Sequence, residues 1–266
     1  NTVSELFDQM KNAGGFTATK LVEARDILRV AIDETKEAKN SDKSVLNWLS
    51  FPACLMATGT RGFFIEAIKS GSYNVISTTC GTLDHDIART FKDYYHGSFD
   101  LDDALLGDVG LNRLGNVIVP NECYGEILEP VILPWLEEIE KERREKNPEN
   151  PWLGFGSVEL CWAFGDRIDD DTSFLHHAAK HRIPIVIPGL SDGSIGAQLF
   201  MHRQKSPEFM IDFLADEQIL SDLTWTAKKS HALMVGGGIS KHHVIWWNQY
   251  RDGLDSAVGI TTAPEH

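Results

Sequence analysis

The segment LMVGGGISKHH, residues 233–243, carries residue types that suit phosphate binding. An apolar run ends at Gly236, Gly237 and Gly238, and a helix is predicted to start near Ser240. Glycines let the backbone approach a phosphate closely, and a helix N-terminus offers free N–H groups. This chemistry is typical of dinucleotide binding after a parallel strand. The glycines do not form GxGxxG, so a tight strand–helix turn without a ligand stays the alternative.

A second segment, STTCGTLDHD at residues 77–86, places acidic and imidazole groups after a predicted strand. In parallel α/β sheets, ligands bind beyond the carboxyl ends of the strands. Carboxylates such as Asp84 and Asp86, next to His85, could hold an ammonium group there. Capping of a helix by Thr82 or Asp84 explains the same residues without a ligand.

A third segment, GLSDGSIG at residues 189–196, follows the apolar run PIVIP. Asp192 could accept hydrogen bonds from a ribose. An ordinary Asp-Gly turn explains the same residues and is favoured by the local sequence.

Histidines cluster at His176, His177 and His181 on one predicted helix. Two of them stand four residues apart, which is a spacing that metal sites use. No HExxH arrangement and no nearby cysteine accompany them, so we predict a solvated helix face and no metal site.

Lys241 at a helix start is weak support for a nucleophile, and we do not assign it that role.

Apolar runs of strand length alternate with predicted helices along the chain. Such runs occupy residues 51–57, 73–79, 115–120, 182–189, 231–238 and 255–263. A long amphipathic helix is predicted over 17–37, with an apolar face of Leu21, Ala24, Ile27, Leu28 and Ala31. This alternation predicts an α/β fold with a mostly parallel sheet flanked by helices. We treat residues 1–266 as one domain, with a helical N-terminal part over 1–50.

Composition limits the classes of partner. The net charge of −14 argues against nucleic acid, because phosphate contacts need a basic surface. An acidic field attracts cations such as polyamines or a basic protein, although acidity also simply aids solubility. No apolar run is long enough for a membrane helix, and the N-terminus lacks a signal-peptide core. The four cysteines form no CxxC pair, which predicts reduced thiols in a cytoplasmic protein.

Several segments from about residue 51 onward resemble the deoxyhypusine synthase family, in order and with family-like spacing. They are FPACLMATGTRG, VISTTCGTLDHD, YYHGSFDLDDALL, GLNRLGNVIVPNE, RIPIVIPGLSDGSIG, MVGGGISKHH and AVGITTAPE. Residues 1–50 match only loosely. The resemblance implies a Rossmann-like fold, bound NAD and a homotetramer with active sites at subunit interfaces. It also implies transfer of an aminobutyl group from spermidine, through an enzyme lysine, to a lysine of a translation initiation factor precursor.

The resemblance also implies site residues, taken position by position. Those expected to bind NAD are Thr79, Cys80, Gly81, Asp192, Gly237, Thr262 and Ala263. Those expected to bind the amine are Asp84, His85 and His242.

This sequence departs from the family pattern at the amine site. Asp84 and His85 stand where eukaryotic members carry two glutamates, and Ala197 stands where they carry an aspartate. A polyamine needs carboxylates, because an unpaired buried cation is costly. We therefore expect an altered amine site, closer to the archaeal and bacterial branch.

The family's Schiff-base lysine belongs to an EAxSWGK motif that does not occur in this sequence. We expect that lysine to lie beyond His266, so no catalytic nucleophile is assigned within the chain. Two alternatives stay open: a homospermidine synthase-like transfer to a small amine, and a non-catalytic NAD-binding subunit of a hetero-oligomer.

Overall fold

The computed structural model describes residues 2–39, 44–149 and 152–263. Its helices are α1 (Val3–Ala13), α2 (Phe16–Ala38), α3 (Arg61–Lys69), α4 (Gly81–Phe91), α5 (Asp103–Asp108), α6 (Leu128–Lys146), α7 (Ser157–Gly165), α8 (Phe174–His181), α9 (Ser194–Lys205), α10 (Phe213–Thr226) and α11 (Gly238–Asn248). Its strands are β1 (Val45–Ser50), β2 (Val75–Ser77), β3 (Tyr95–His96), β4 (Leu111–Leu114), β5 (Val117–Pro120), β6 (Gly154–Phe155), β7 (Ile185–Val186), β8 (Met210–Ile211), β9 (Lys229–Val235) and β10 (Ser256–Ile260).

The main sheet has the strand order β10-β9-β1-β2-β7, and every pairing in it is parallel. Leu49 of the central strand β1 lies opposite Ile76 of β2 and Leu233 of β9. Every residue of β1 is buried, because helices cover both faces of the sheet. The predicted α/β class with a mostly parallel sheet is confirmed. The β3-β5-β4 sheet is antiparallel, and residues 115–120 supply its middle strand.

The predicted strand at residues 51–57 is wrong, since the strand is the preceding segment, Val45–Ser50. Residues 51–57 instead form the turn after that strand, including a 3₁₀ helix at Ala53–Leu55. Pro52 cannot donate to a sheet ladder, so it ends a central strand rather than joining it. The helical N-terminal part consequently ends at Ala38, and a central strand already falls within 1–50. The assignment of a single domain stays a prediction.

Helix α2 confirms the predicted helix, but its buried face is only partly the predicted one. Ala24 and Leu28 pack against the main core, and Ala31 is buried. Leu21 and Ile27 are exposed. Leu21 lines an open groove of about 1090 Å³ beside β10.

No helix within the described ranges is long and apolar enough to cross a bilayer.

Candidate functional site

The carboxyl ends of the main strands bring the predicted site segments to one edge of the sheet. The backbone N–H of Ala53, after β1, donates to Thr79 Oγ1, after β2, at 3.0 Å. A Cβ placed on Gly81 would lie 2.9 Å from the Cβ of Ala53, so these two turns are in contact. Thr79, Cys80 and Gly81, predicted from the resemblance to bind a cofactor, therefore lie next to the turn after β1 at this edge of the sheet.

The ends of β9 and β10 join the same edge. Gly236 N donates to the Ile260 carbonyl at 2.7 Å, and a Cβ on Gly236 would lie 3.1 Å from Pro52 Cδ. Thr262 and Ala263 follow β10 after Thr261 and are exposed. The end of β9 thus lies beside the turn after β1, and the end of β10 lies next to it.

The N-terminus of α11 is open to a ligand. Gly236 and Gly238 have positive φ angles of 79° and 71°, which glycine adopts without strain. A Cβ on Gly237 or Gly238 would meet no atom within 4 Å, so the backbone there is uncovered. No side chain caps this helix and its first turn holds no acidic residue. Its N–H groups and positive dipole end are therefore free to bind an anion.

Asp84 is buried and binds the start of α9. Its Oδ2 accepts from Ser194 N and its Oδ1 from Ile195 N, both at 2.8 Å. Burial raises the pKa of this carboxyl to about 6, the two backbone N–H groups lower it, and the nearby Asp192 raises it. Asp84 is hence mostly ionised at neutral pH. The capping alternative is realised, although the capped helix is α9 and not the helix that carries Asp84.

Cys80 and Gly193 pack next to this carboxylate. A Cβ on Gly193 would lie 2.7 Å from Asp84 Oδ2 and 2.8 Å from Cys80 Sγ. Burial, with Asp84 as a second cause, raises the pKa of the Cys80 thiol to about 12. The thiol stays protonated and is not a nucleophile. Asp192 is exposed at the rim of this contact.

His85 is buried on the other side of α4 and pairs through Nδ1 with the Tyr94 hydroxyl at 2.9 Å. Burial lowers the pKa of His85 to about 4, and the nearby Arg89 lowers it further. The imidazole is therefore neutral at pH 7 and does not repel an ammonium group. Nothing in the local sequence pairs Tyr94 with His85, so the sequence did not predict this contact.

We expect His85 to make the folded protein sensitive to mild acid. Between its ordinary pKa of 6.5 and its folded value of about 4, the unfolded chain binds a proton that the folded chain does not. Stability is consequently complete above this window and falls as the pH is lowered through it, by about 3 kcal/mol for this residue. Urea unfolding at a series of pH values measures the effect. His85→Gln should flatten the curve, and parallel curves for variant and parent would contradict the assignment.

Asp86, the third acidic residue of the same segment, is fully buried and structural. It accepts from Arg61 Nε at 2.8 Å, and from Phe174 N and Leu175 N at 2.9 Å each. The Ser173 hydroxyl donates to it at 2.7 Å. Each carboxylate oxygen already accepts two hydrogen bonds from these groups, so Asp86 belongs to the core and not to a ligand site.

His242 and His243 lie on different sides of α11. His242 is exposed and its ring stacks on Trp246 at a centroid distance of 6.2 Å. His243 lies 3.5 Å from Glu217, and burial lowers its pKa to about 4. Lys241, which we did not assign as a nucleophile, stands next to them in the first turns of α11.

The predicted solvated histidine face on α8 is wrong for His177, which is buried because α8 packs against α7 and α3. His176 Nδ1 pairs with the Ile168 carbonyl and His177 Nε2 with the Asp171 carbonyl, at 2.6 and 2.9 Å. His181 is exposed as expected. The Asp171 carboxylate lies 4.0 and 3.9 Å from the two histidine Nε2 atoms, so these three residues form a cluster at the start of α8.

Comparison with known proteins gives a family match over nearly the whole chain. The family model for deoxyhypusine synthase matches residues 5–266. The chain belongs to the deoxyhypusine synthase family. A protein of Picrophilus torridus named "Probable deoxyhypusine synthase" is 49% identical over 265 residues, which are 100% of this chain and 79% of the relative. A protein of the same name from Thermoplasma acidophilum is 45% identical over 99% of this chain and 79% of its own length.

A solved structure from Entamoeba histolytica, described as a deoxyhypusine synthase, shares the fold. Its TM-score is 0.69 at 24% identity, over 99% of this chain and 85% of that one. Deoxyhypusine synthases are transferases that use NAD. The open glycine turn and uncapped N-terminus of α11 suit the phosphates of such a dinucleotide.

Membership of the deoxyhypusine synthase family does not by itself locate the amine site. Of the three residues predicted to bind the amine, Asp84 and His85 are buried in α4, whereas His242 is exposed on α11. Sequence reasoning missed Ser194 and Ile195, whose N–H groups hold Asp84. The Asp-Gly turn that precedes Ser194 was the available signal, since a helix start is stabilised by an anionic partner.

Proposed function

We propose that this protein catalyses NAD-dependent transfer of an aminobutyl group from spermidine to a lysine of a translation initiation factor precursor. It would act in the cytoplasm as a homotetramer. The observation that carries the proposal is the family match over residues 5–266. The convergence of the predicted cofactor residues at one edge of a parallel sheet supports it.

In this proposal the uncapped N-terminus of α11, with Gly237, binds the phosphates of NAD. Thr79, Cys80 and Gly81 form the opposite wall, Asp192 accepts from a ribose, and Thr262 and Ala263 close the cleft beside β10. Bound NAD supplies a hydride acceptor and later returns the hydride. The residues of this chain would hold the amine next to the nicotinamide ring and exclude water from the site.

The proposed amine site uses a neutral imidazole at His85 and the exposed ring of His242. The net charge of −14 attracts a polyamine from solution. A neutral His85 is compatible with a cationic ligand because it adds no positive charge.

The test is label transfer from labelled spermidine in the presence of NAD. The purified protein is incubated with the precursor protein or with a small diamine as acceptor. We expect label on a lysine of the precursor. Label on the small amine would instead identify a homospermidine synthase-like enzyme. Label on neither, with NAD still bound, would contradict transferase activity and favour a non-catalytic subunit.

We expect His242→Ala to weaken binding of the amine far more than binding of the cofactor. Loss of a hydrogen bond to a charged amine lowers its affinity by about tenfold or more. NAD affinity should change by less than about threefold. Amine-dependent NADH formation and NAD titration measure the two effects. His181→Ala, an exposed histidine on α8, is the matched control and should leave both unchanged. Equal loss of amine and cofactor binding in His242→Ala would show that His242 is not an amine-binding residue.

A further inference from the structure

The Asp84 carboxylate accepts hydrogen bonds from backbone N–H groups that lie more than a hundred residues away in the sequence. Its two oxygens each accept one N–H from the first turn of α9, at 2.8 Å, and its side chain is buried. Two charge-assisted bonds to adjacent amides fix both the orientation of the carboxylate and the start of the helix. A residue built into the structure in this way has little freedom to turn toward a ligand.

Space around the carboxylate is also taken by the loop before α9. Gly193, the N-cap of α9, has an extended backbone, and a Cβ there would lie 2.7 Å from Asp84 Oδ2. The same Cβ would lie 2.8 Å from Cys80 Sγ. An ammonium group needs to approach an oxygen to about 2.8 Å. The Oδ2 side of the carboxylate therefore faces Gly193 and Cys80 at close range, which leaves little room for an ammonium group.

Two other buried aspartates cap helices in the same manner. Asp216 accepts from Ser157 N and Val158 N, at 2.7 and 3.0 Å, at the start of α7. Asp86 accepts from the first two N–H groups of α8. Asp84 therefore repeats a helix-capping arrangement that this fold uses at two other buried aspartates.

Asp84 differs from the other two aspartates because the helix start that it caps follows directly on the Asp192 turn. Asp192 immediately precedes Gly193, and its N–H donates to the Gly189 carbonyl at 3.1 Å. The exposed Asp192 carboxylate is thus held between a turn on one side and the start of α9, bound by Asp84, on the other.

We propose that Asp84 is a positioning residue for the Asp192 loop and not a ligand of the amine. The proposal rests on the proposed function, because it takes Asp192 to be the group that binds the cofactor ribose. Asp84 acts through the backbone of Ser194 and Ile195. Its negative charge also occupies the positive end of α9, which directs the phosphates of the cofactor to α11 instead.

The test variant is Asp84→Asn, which keeps the size of the side chain but turns one acceptor into a donor that faces an N–H group. We expect NAD affinity to fall by about tenfold and spermidine affinity to change by less than about twofold. Amide hydrogen exchange of Ser194 and Ile195 should speed up by about tenfold without any ligand present. Calorimetric titration with NAD and with spermidine, and exchange mass spectrometry of residues 191–197, provide the readouts.

Asp216→Asn is the matched control, because it loses a cap of the same kind at α7. It should speed exchange at Ser157 and Val158 and leave exchange at 191–197 unchanged. A second variant, Gly193→Ala, keeps the Asp84 carboxylate and displaces the loop by contact with Asp84 and Cys80. It should also lose NAD affinity while spermidine affinity holds, which tests the proposal even if Asp84→Asn does not fold.

Loss of spermidine affinity in Asp84→Asn with unchanged exchange at 191–197 would overturn the proposal and restore Asp84 as an amine ligand. Failure of the parent protein to bind NAD would instead count against the proposed function. In that case the exchange rates alone still decide whether Asp84 holds the loop.

Discussion

Asp86→Ala is expected to lower the free energy of unfolding by about 3–5 kcal/mol, because it removes the partner of a buried charge. Arg61, whose side chain is 8% exposed, would lose its ion pair at 2.8 Å. The first N–H groups of α8 and the Ser173 hydroxyl would lose their acceptor as well. Each buried group left unsatisfied adds to the cost. Urea unfolding of parent and variant, monitored by circular dichroism, measures the difference.

The control for this prediction is Asp171→Ala, whose carboxylate is 88% exposed. It should change stability by less than about 0.5 kcal/mol, as exposed positions usually do. The double variant Arg61→Ala with Asp86→Ala should be less destabilised than the sum of the two single variants, because no lone charge stays buried. Additive effects, or a loss of less than about 1 kcal/mol in Asp86→Ala, would show that Arg61 finds another partner.

Gly237→Val is expected to lower NAD affinity by about a hundredfold, because the side chain would cover the uncapped N-terminus of α11. The fold should tolerate the change. Gly237 has an extended backbone, with φ −147° and ψ −146°, and an added Cβ meets no atom within 4 Å. The loss of unfolding free energy should therefore stay within about 1 kcal/mol. Titration calorimetry with NAD and thermal unfolding separate the two effects.

Gly107→Val is the matched control, because Gly107 also has open space around its Cβ position and lies in α5, away from the strand ends. NAD affinity should be unchanged in that variant. Normal NAD affinity in Gly237→Val would place the cofactor phosphates elsewhere on the sheet edge. A large loss of stability in the same variant would mean that the turn is packed more tightly than its geometry indicates.

The sequence determined which segments reach the carboxyl edge of the sheet. The runs before Thr78, Pro188 and Gly236 are rich in β-branched and apolar residues, and glycines or hydroxyl residues follow them. Because parallel strands point the same way, their turns must meet at one edge, and that followed from pattern alone. The predicted strand at residues 51–57 was wrong. Its apolar composition favours a strand, but Pro52 cannot donate to a sheet ladder and ends the strand before it.

The tertiary structure decided which acidic residue does what. Asp84, Asp86 and Asp216 each lie within a helix, and each proves to cap a different helix from another segment of the chain. Asp192 stays exposed at the cleft. A helix N-terminus accepts an anion from any part of the chain that packs against it, and no local spacing records that partner. Strand direction is a local property and can be read from the sequence, whereas the partner of a buried charge is fixed only when the helices pack.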